Sequence, residues 1–550
     1  MMKTEPIRER SFWGVSQLSL RSILLGMLGS SIITASSMYV ALRMSALPWP
    51  TIFVAVLSMA LLKILGKTTT NEINITQTAM SAGAMVAGGL AFTLPGLWIT
   101  GIWKGYSFSS GHFWQVLAIS LAGMLLGTVL TWFLRIRFIE KESLSYPIGQ
   151  AAADTIQVGD TGGKKSATLF GTMGFSFIFT LLRDGFNIIP PALISKWLYA
   201  KNFFVGIWLS PMAAGIGYMI GTLYTGVWFI GAILSYFIII PFAPLLHWLP
   251  STDAAVNFKN TSGIGLMVGT GVGILVAYLL AAIRKSTINK EVNESHDQKA
   301  ISRKGRIWII IAISFAYLFS VMAGLELLTS ILLIVGVFAA ATMAATNTGE
   351  TGINPMEIFG IIILLAVRIL IKVDATSAFF ITAAVAVACG YGGDLLNDYK
   401  AGRVLGTNPT AQLIAQLAGG LVGTVIATLA MFAIIGQFGG VGPEKGLPAG
   451  QAFAVSQMVK GIGDPMVFGG SLIIGMVLYL LKIPAMTLGI GMYLPFEISS
   501  MMFIGGILRF LVDRFRPKAV ESGNISASGM LGGEGITGVG IAIFKMITGG

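Results

Sequence analysis

The chain is poor in charge, cysteine and histidine, and each shortage closes off a class of function. Of its 550 residues only 11% are Asp, Glu, Lys or Arg, where a soluble domain carries roughly a quarter. A single cysteine, Cys389, excludes an intramolecular disulfide, and three scattered histidines (His112, His247, His296) exclude a histidine-rich metal cage. There is no H-E-x-x-H, no G-x-x-x-x-G-K-[ST], and no G-x-S-x-G with a histidine beside it. An enzyme is therefore not expected, nor a cofactor, and transport would have to draw on an ion gradient. The first twenty residues lack an apolar run before a small-residue cleavage site, so no removable signal peptide is expected. The net charge of +12 is spread over short loops, where it sets topology and does not point to nucleic acid.

What the chain does have is hydrophobic length. With 55% hydrophobic residues and a mean hydropathy of +0.80, it reads as an all-α polytopic membrane protein. Apolar runs of spanning length fall at 22–42, 50–66, 74–96, 113–134, 166–182, 203–221, 223–241 and 262–283. More follow at 307–325, 327–346, 355–371, 375–392, 412–436, 466–481, a broken region 484–511, and 528–547, about sixteen in all. The organisation expected is a cytoplasmic N-terminal segment 1–21, a first transmembrane half 22–283, a basic cytoplasmic linker 284–306, and a second half 307–550. The linker carries seven basic residues against Glu291, Glu294 and Asp297.

The halves repeat one another. Thr270-Gly-Val-Gly-Ile274 recurs as Thr537-Gly-Val-Gly-Ile541, Pro147–Ala153 matches Pro448–Ala454, and Phe229–Leu234 matches Phe503–Leu508. Thr78–Gly89 aligns with Thr382–Gly393 in the same order. Basic loops place 63–67, 135–141, 284–306 and 512–518 in the cytoplasm. The counterpart of the last, 242–261, has one lysine and falls outside by span counting, while 307–325 has no mate. An inverted repeat is expected, with the substrate site between the halves at broken helices.

Polar residues inside apolar runs mark the candidate site. Thr70–Gly96 opens with Asn71, Glu72, Asn74, Thr76, Gln77 and Thr78 before a body of Ala, Gly and Ser. Acids and amides inside a span are costly unless they face a cavity or a partner, and small residues let helices approach closely. Glu72 could take up and release a proton, or it could be no more than the favourable acid at a helix start. Asp394, directly after Gly392-Gly393, and Asp154 are the other proton-coupling candidates. Asn71, Asn74, Gln77, Gln150 and Gln451 are candidates for hydrogen bonding to substrate amides or carboxylates, with Arg183, Asn187 and Glu497 as further substrate-binding candidates. For Arg183-Asp184 the plainer reading is an interfacial anchor. Asp464, Glu350 and Glu534 are lesser candidates, and no metal ligands are expected.

These residues resemble those of the oligopeptide transporter superfamily, on its prokaryotic branch, which also includes yellow stripe-like metal-chelate transporters. The matching segments are N-I-T-Q-T-A-M-S-A-G (Asn74–Gly83), F-T-L-P-G (Phe92–Gly96), S-Y-P-I-G-Q-A-A-A-D (Ser145–Asp154) and G-G-D-L-L-N-D-Y-K-A-G (Gly392–Gly402). To these add M-Y-L-P-F-E-I-S (Met492–Ser499), F-I-G-G-I-L-R (Phe503–Arg509) and S-G-M-L-G-G-E-G (Ser528–Gly535). The resemblance implies proton-coupled import of small peptides or metal chelates by alternating access in the cytoplasmic (inner) membrane. Asn354-Pro355-Met356 and Lys482-Ile483-Pro484-Ala485 only partly echo the motifs of the eukaryotic peptide branch, so peptide and chelate both stay open. The expected partners are the substrate, protons and the lipid bilayer, with a homodimer left open. A gradient-independent channel and an intramembrane enzyme are the rival readings.

Overall fold

The computed structural model describes residues 11–12, 14–45, 51–108, 110–159, 163–288, 303–351, 354–460 and 464–548. A ribbon of β1 (Ser11–Phe12) and β2 (Val15–Ser16) leads into α1 (Leu20–Met44), α2 (Thr51–Ile64), α3 (Thr70–Ala91), α4 (Gly96–Ile99) and α5 (Gly111–Leu134). Then come α6 (Pro147–Gly159), α7 (Gly163–Thr180), and a ribbon of β3 (Ala192–Ile194) and β4 (Gly206–Trp208) enclosing α8 (Lys196–Tyr199). The first series ends with α9 (Pro211–Ile220), α10 (Thr222–Ile233), α11 (Ile240–Leu245) and α12 (Thr252–Ile288), and α13 (Arg303–Met322) follows. The second series is α14 (Leu327–Thr351), α15 (Met356–Leu370), α16 (Ala375–Cys389), α17 (Leu395–Leu405) and α18 (Pro409–Gln437), then α19 (Gly450–Lys460) and α20 (Pro465–Leu480). It closes with α21 (Ala485–Tyr493), α22 (Phe496–Phe515) and α23 (Val520–Thr548).

Seven stretches among the described residues are long and apolar enough to cross a membrane, including Leu20–Met44, Thr70–Ile99, Ala375–Leu405 and Pro409–Gln437. Several shorter apolar helices accompany them, because some runs that read as continuous are broken. The run 203–221 is β4 followed by the ten-residue α9, whose start is set by the Ser210 cap and Pro211. The region 484–511 is two helices, parted where Leu494 turns extended before Pro495, as a residue preceding proline prefers.

The two series interlock. α12 packs on α20 and α21, and its sequence mate α23 packs on α7 and α9. α3 packs on α18 while α16 packs on α5, and α9 meets α22 as α10 meets α21. The chain entering α6 donates from Tyr146 N–H to the Gly349 carbonyl at the end of α14 (2.9 Å), and the chain entering α19 donates from Ala449 N–H to the Leu42 carbonyl near the end of α1 (2.9 Å). Each half thus completes the other. α13, the helix without a sequence mate, lies against α5.

Large apolar side chains face outward, while several acids lie inside an otherwise apolar core. Leu24 and Leu28 on α1, Trp308 and Ile310 on α13, and Ile473 and Val477 on α20 are exposed, while Glu72, Asp394, Asp398 and Glu534 are buried. That is the inverse of a water-soluble protein and suits a lipid surround. α3 and α16 are buried nearly all round. Small residues make this possible: a Cβ at Gly423 of α18 would lie 2.3 Å from the Gly83 Cα of α3. A Cβ at Gly419 would lie 1.8 Å from the Ala79 carbonyl oxygen, so the α3 and α18 backbones cross in direct contact.

Candidate functional site

The polar head of α3 splits between two roles. Thr69 caps the helix by accepting from Glu72 N–H (3.1 Å). The Glu72 carboxylate accepts from Arg21 Nε (2.6 Å) and Arg21 Nη2, from Ser19 Oγ (2.5 Å) and from Thr68 Oγ1 (3.0 Å). Asn71 accepts from Thr407 Oγ1 (3.2 Å). One turn deeper the side chains cross to the second half. Gln77 Nε2 donates to Asp398 Oδ1 (2.9 Å), and Asn74 Nδ2 donates to the Asp398 carbonyl (3.3 Å). Gln412 of α18 joins them, donating to Thr78 Oγ1 (3.1 Å) and to the same carbonyl (3.0 Å).

Asp394 closes a π-helical turn, Gly390–Asp394, that breaks the ladder between α16 and α17, a device common at functional positions. Asn354 Nδ2 donates to its Oδ2 (2.6 Å) and to the Cys389 carbonyl (2.9 Å). Among the described residues Asp394 Oδ1, Asn354 Oδ1 and Thr348 Oγ1 find no hydrogen-bond partner, nor does Oε1 of Glu357, buried on the first turn of α15. Neither Asp394 nor Asp398 has a salt bridge among the described residues, whereas Glu72 pairs with Arg21 and Glu534 with Arg183. Glu72 and Asp394 have different hydrogen-bond partners.

The short helices α6 and α19 dock across the halves. Gly149 N–H donates to Asn397 Oδ1 (3.0 Å), and Gly450 N–H donates to Ser45 Oγ (2.5 Å). Asp154 is exposed and accepts from Gln150 Nε2 within α6 (3.0 Å). Gln451 is buried, and its Oε1 has no partner among the described residues. Asp464 is the cap of α20, accepting from Met466 and Val467 N–H. The Glu350 side chain lies outside the described residues.

A second polar centre joins the halves at Arg183. Its guanidinium is fully buried and donates to Asp184 (2.8 and 2.6 Å), to Glu534 Oε1 (2.8 Å) and to the Leu209 carbonyl (2.6 Å). Glu534 also accepts from Ser210 Oγ (2.9 Å) and Met212 N–H (2.9 Å). Arg183 is more than an interfacial anchor, then, while Asn187 is exposed in a left-handed turn (φ 54°).

Two cavities flank these centres. One of about 290 Å³ is lined by Tyr199, Phe204, Tyr236, Lys259, Tyr493 and Glu497, among others. Lys259 is buried, and its Nζ donates to Tyr236 Oη (3.1 Å) and to the Met492 and Tyr493 carbonyls (3.0 Å each) at the end of α21. The other, of about 180 Å³, reaches Tyr399 and Gln412 from Arg135 and Arg403. Lys259, Glu357, Asn354 and Gln412 escape a reading of the sequence. Lys259 reads as part of a loop because α12 starts ten residues before the apolar run does. Glu357 heads an otherwise ordinary apolar helix, and Asp398 looks like a helix-end charge until Gln77 is seen to reach it.

The family model described as OPT oligopeptide transporter protein matches residues 17–545. A Haemophilus influenzae protein named "Putative oligopeptide transporter" is 26% identical over 93% of this chain and 94% of its own length. The Arabidopsis thaliana protein named "Metal-nicotianamine transporter YSL1" is 24% identical over 72% of this chain and 68% of its own length.

Proposed function

The chain belongs to the oligopeptide transporter family and is a multi-pass membrane transporter, not an enzyme, and from that premise we propose a proton-coupled importer of small peptides or amino-acid-derived metal chelates, working by alternating access in the cytoplasmic membrane. The carrying observation is the acid pair Asp394 and Asp398, buried on one membrane-embedded helix with amides and the Ser81 hydroxyl but, among the described residues, no cation beside them. An isolated carboxylate in such surroundings is costly as an anion. It works when a proton, or a cationic group of the substrate, arrives and leaves with each cycle. Each has one oxygen still unpartnered among the described residues, and Asp394 is the better placed because it sits at the π-turn.

Alternating access is supported by the interlocked halves and by the two cavities. By the charge of the loops, the cavity at Arg135 and Arg403 opens to the cytoplasm and the one at Tyr199 and Glu497 to the outside. The seam of Asn74, Gln77, Asp398 and Gln412 belongs to the barrier between them. Glu72, neutralised by Arg21, has an anchoring role in this scheme, and Asp154 is left as a surface acid. The names of the relatives supply the substrate classes, oligopeptide in one and metal–nicotianamine in the other.

Uptake into proteoliposomes under an imposed inward proton gradient tests the proposal. Accumulation of a tripeptide or a metal–nicotianamine chelate should follow the gradient and collapse with a protonophore. Asp394→Asn should retain exchange but lose at least tenfold of gradient-driven accumulation. Uptake indifferent to the gradient, or unchanged in Asp394→Asn, overturns proton coupling at this residue. A gradient-independent flux that does not saturate would favour a channel.

A further inference from the structure

We propose that the cavity between Tyr236 and Glu497 is a capture site for a zwitterionic substrate, taking a carboxylate at its Tyr236–Lys259 end and an ammonium at its Glu497 end. The inference deepens the transport reading and rests on it for the identity of the cargo.

The chemistry is set by which hydrogens and lone pairs are already spent. A lysine ammonium has three donors, and all three of Lys259 are engaged, by the Met492 and Tyr493 carbonyls and by Tyr236 Oη. The cation is held by neutral acceptors, with no salt bridge to it among the described residues. Burial without a countercharge weakens the hold of Lys259 on its proton, so an incoming anion that restores the charge is favoured. Tyr236 accepts from the ammonium, which leaves its own O–H to donate, polarised by the charge behind it. A carboxylate in the cavity would receive that hydrogen bond and face the ammonium across the phenolic oxygen.

The opposite wall is built in the other sense. Tyr199 donates its hydroxyl to Glu497 Oε1, which leaves Oε2 with no partner among the described residues. Burial and the neighbouring carboxylate push the Tyr199 hydroxyl up from its ordinary value, so it stays a donor across the neutral range. Glu497 then presents Oε2 as an acceptor for an ammonium. No ion pair between Lys259 and Glu497 is present among the described residues, so the two charges are held apart and each still lacks a countercharge. Phe204 and Tyr493 supply apolar walls, and about 290 Å³ accommodates a group of amino-acid to dipeptide size. Free peptide termini and amino-carboxylate chelates share this pairing of charges, so one site serves either cargo.

Trialanine, its N-acetyl and C-amide forms, and zinc–nicotianamine are the probes, used with the full-length protein in nanodiscs. The readouts are ligand-dependent thermal stabilisation and uptake in proteoliposomes. The conservative variants Tyr236→Phe and Glu497→Gln each remove one polar function and leave Lys259 capping α21. Wild type should bind trialanine or the chelate, with blocking of either peptide terminus weakening trialanine at least tenfold if peptide is the cargo. Tyr236→Phe should erase the penalty of C-amidation only, and Glu497→Gln that of N-acetylation only. If the chelate alone binds, both variants should weaken it at least tenfold. Wild-type affinities for the preferred cargo in both variants, or no stabilisation of wild type by any probe, overturn the capture site. Stabilisation that follows this pattern without uptake of any probe would instead retain the site and overturn the transport reading.

Discussion

Five acids are buried among the described residues, and the partners of Glu534, Glu72, Asp394 and Asp398 assign these four different work. Glu534 is locked to Arg183, Ser210 and the start of α9, so Arg183→Met would strand a carboxylate with no cation. A loss of about 3–5 kcal/mol is expected, read as a lower melting temperature in detergent. The Arg183→Met/Glu534→Met double variant should recover only part of it, since Asp184 stays behind without its cation. Glu72 is tied to Arg21 and Ser19 near the membrane surface. Glu72→Gln should cost about 1–3 kcal/mol of stability, in the range of hydrogen bonds to charged groups, while leaving the gradient dependence of uptake intact. A gradient dependence lost in Glu72→Gln would return the coupling role to this residue. Asp394 and Asp398 are met by amides and, at Asp398, the Ser81 hydroxyl, with no cation among the described residues, which is why the coupling proposal rests there.

At the scale of elements, the tight crossing of α3 and α18 is the feature most directly written in the sequence. The Ala, Gly and Ser body of Thr70–Gly96 announces a helix that others approach closely, and Gly83 and Gly423 meet backbone to backbone. Gly423→Ala should therefore destabilise by about 1–3 kcal/mol, as overpacking does, because the atom it strikes is a Cα that no rotamer change can move. Gly469→Ala on α20, where a Cβ meets nothing within 4 Å, should be neutral or slightly stabilising. Equal effects of the two would mean that the crossing is looser than its geometry. The breaks were harder to read: hydropathy registers apolar length, so it joins β4 to α9 and leaves the turn between α21 and α22 ambiguous. The same blindness hides Lys259, since a lysine beside an apolar run looks like a loop residue unless the helix is seen to start earlier. Partners were legible least of all. Gln77 and Asp398 lie 321 positions apart, and no local pattern pairs them.

For the whole molecule the open quantity is the direction of the second half, and the interlocked packing makes it testable at one pair of positions. Ser251 stands in the connector before α12 and Lys518 in the connector before its mate α23, and both are exposed. The segment before Ser251, from Leu245 to Pro250, carries no Lys or Arg, while Arg514, Arg516 and Lys518 crowd the other connector. The positive-inside rule then puts the two mates on opposite faces. In an inverted repeat α13, which has no sequence mate, would supply the extra crossing that turns the second half over. Cys389 is fully buried, so a Cys389→Ala background is expected to fold and to be silent to thiol reagents. In that background Ser251→Cys should react with a membrane-impermeant maleimide added to intact cells, and Lys518→Cys only after the membrane is opened. Labelling from the same side would make the repeat parallel. It would also place the Tyr236–Glu497 cavity on the same face as the Arg135 cavity, and the alternating-access scheme would lose its two mouths.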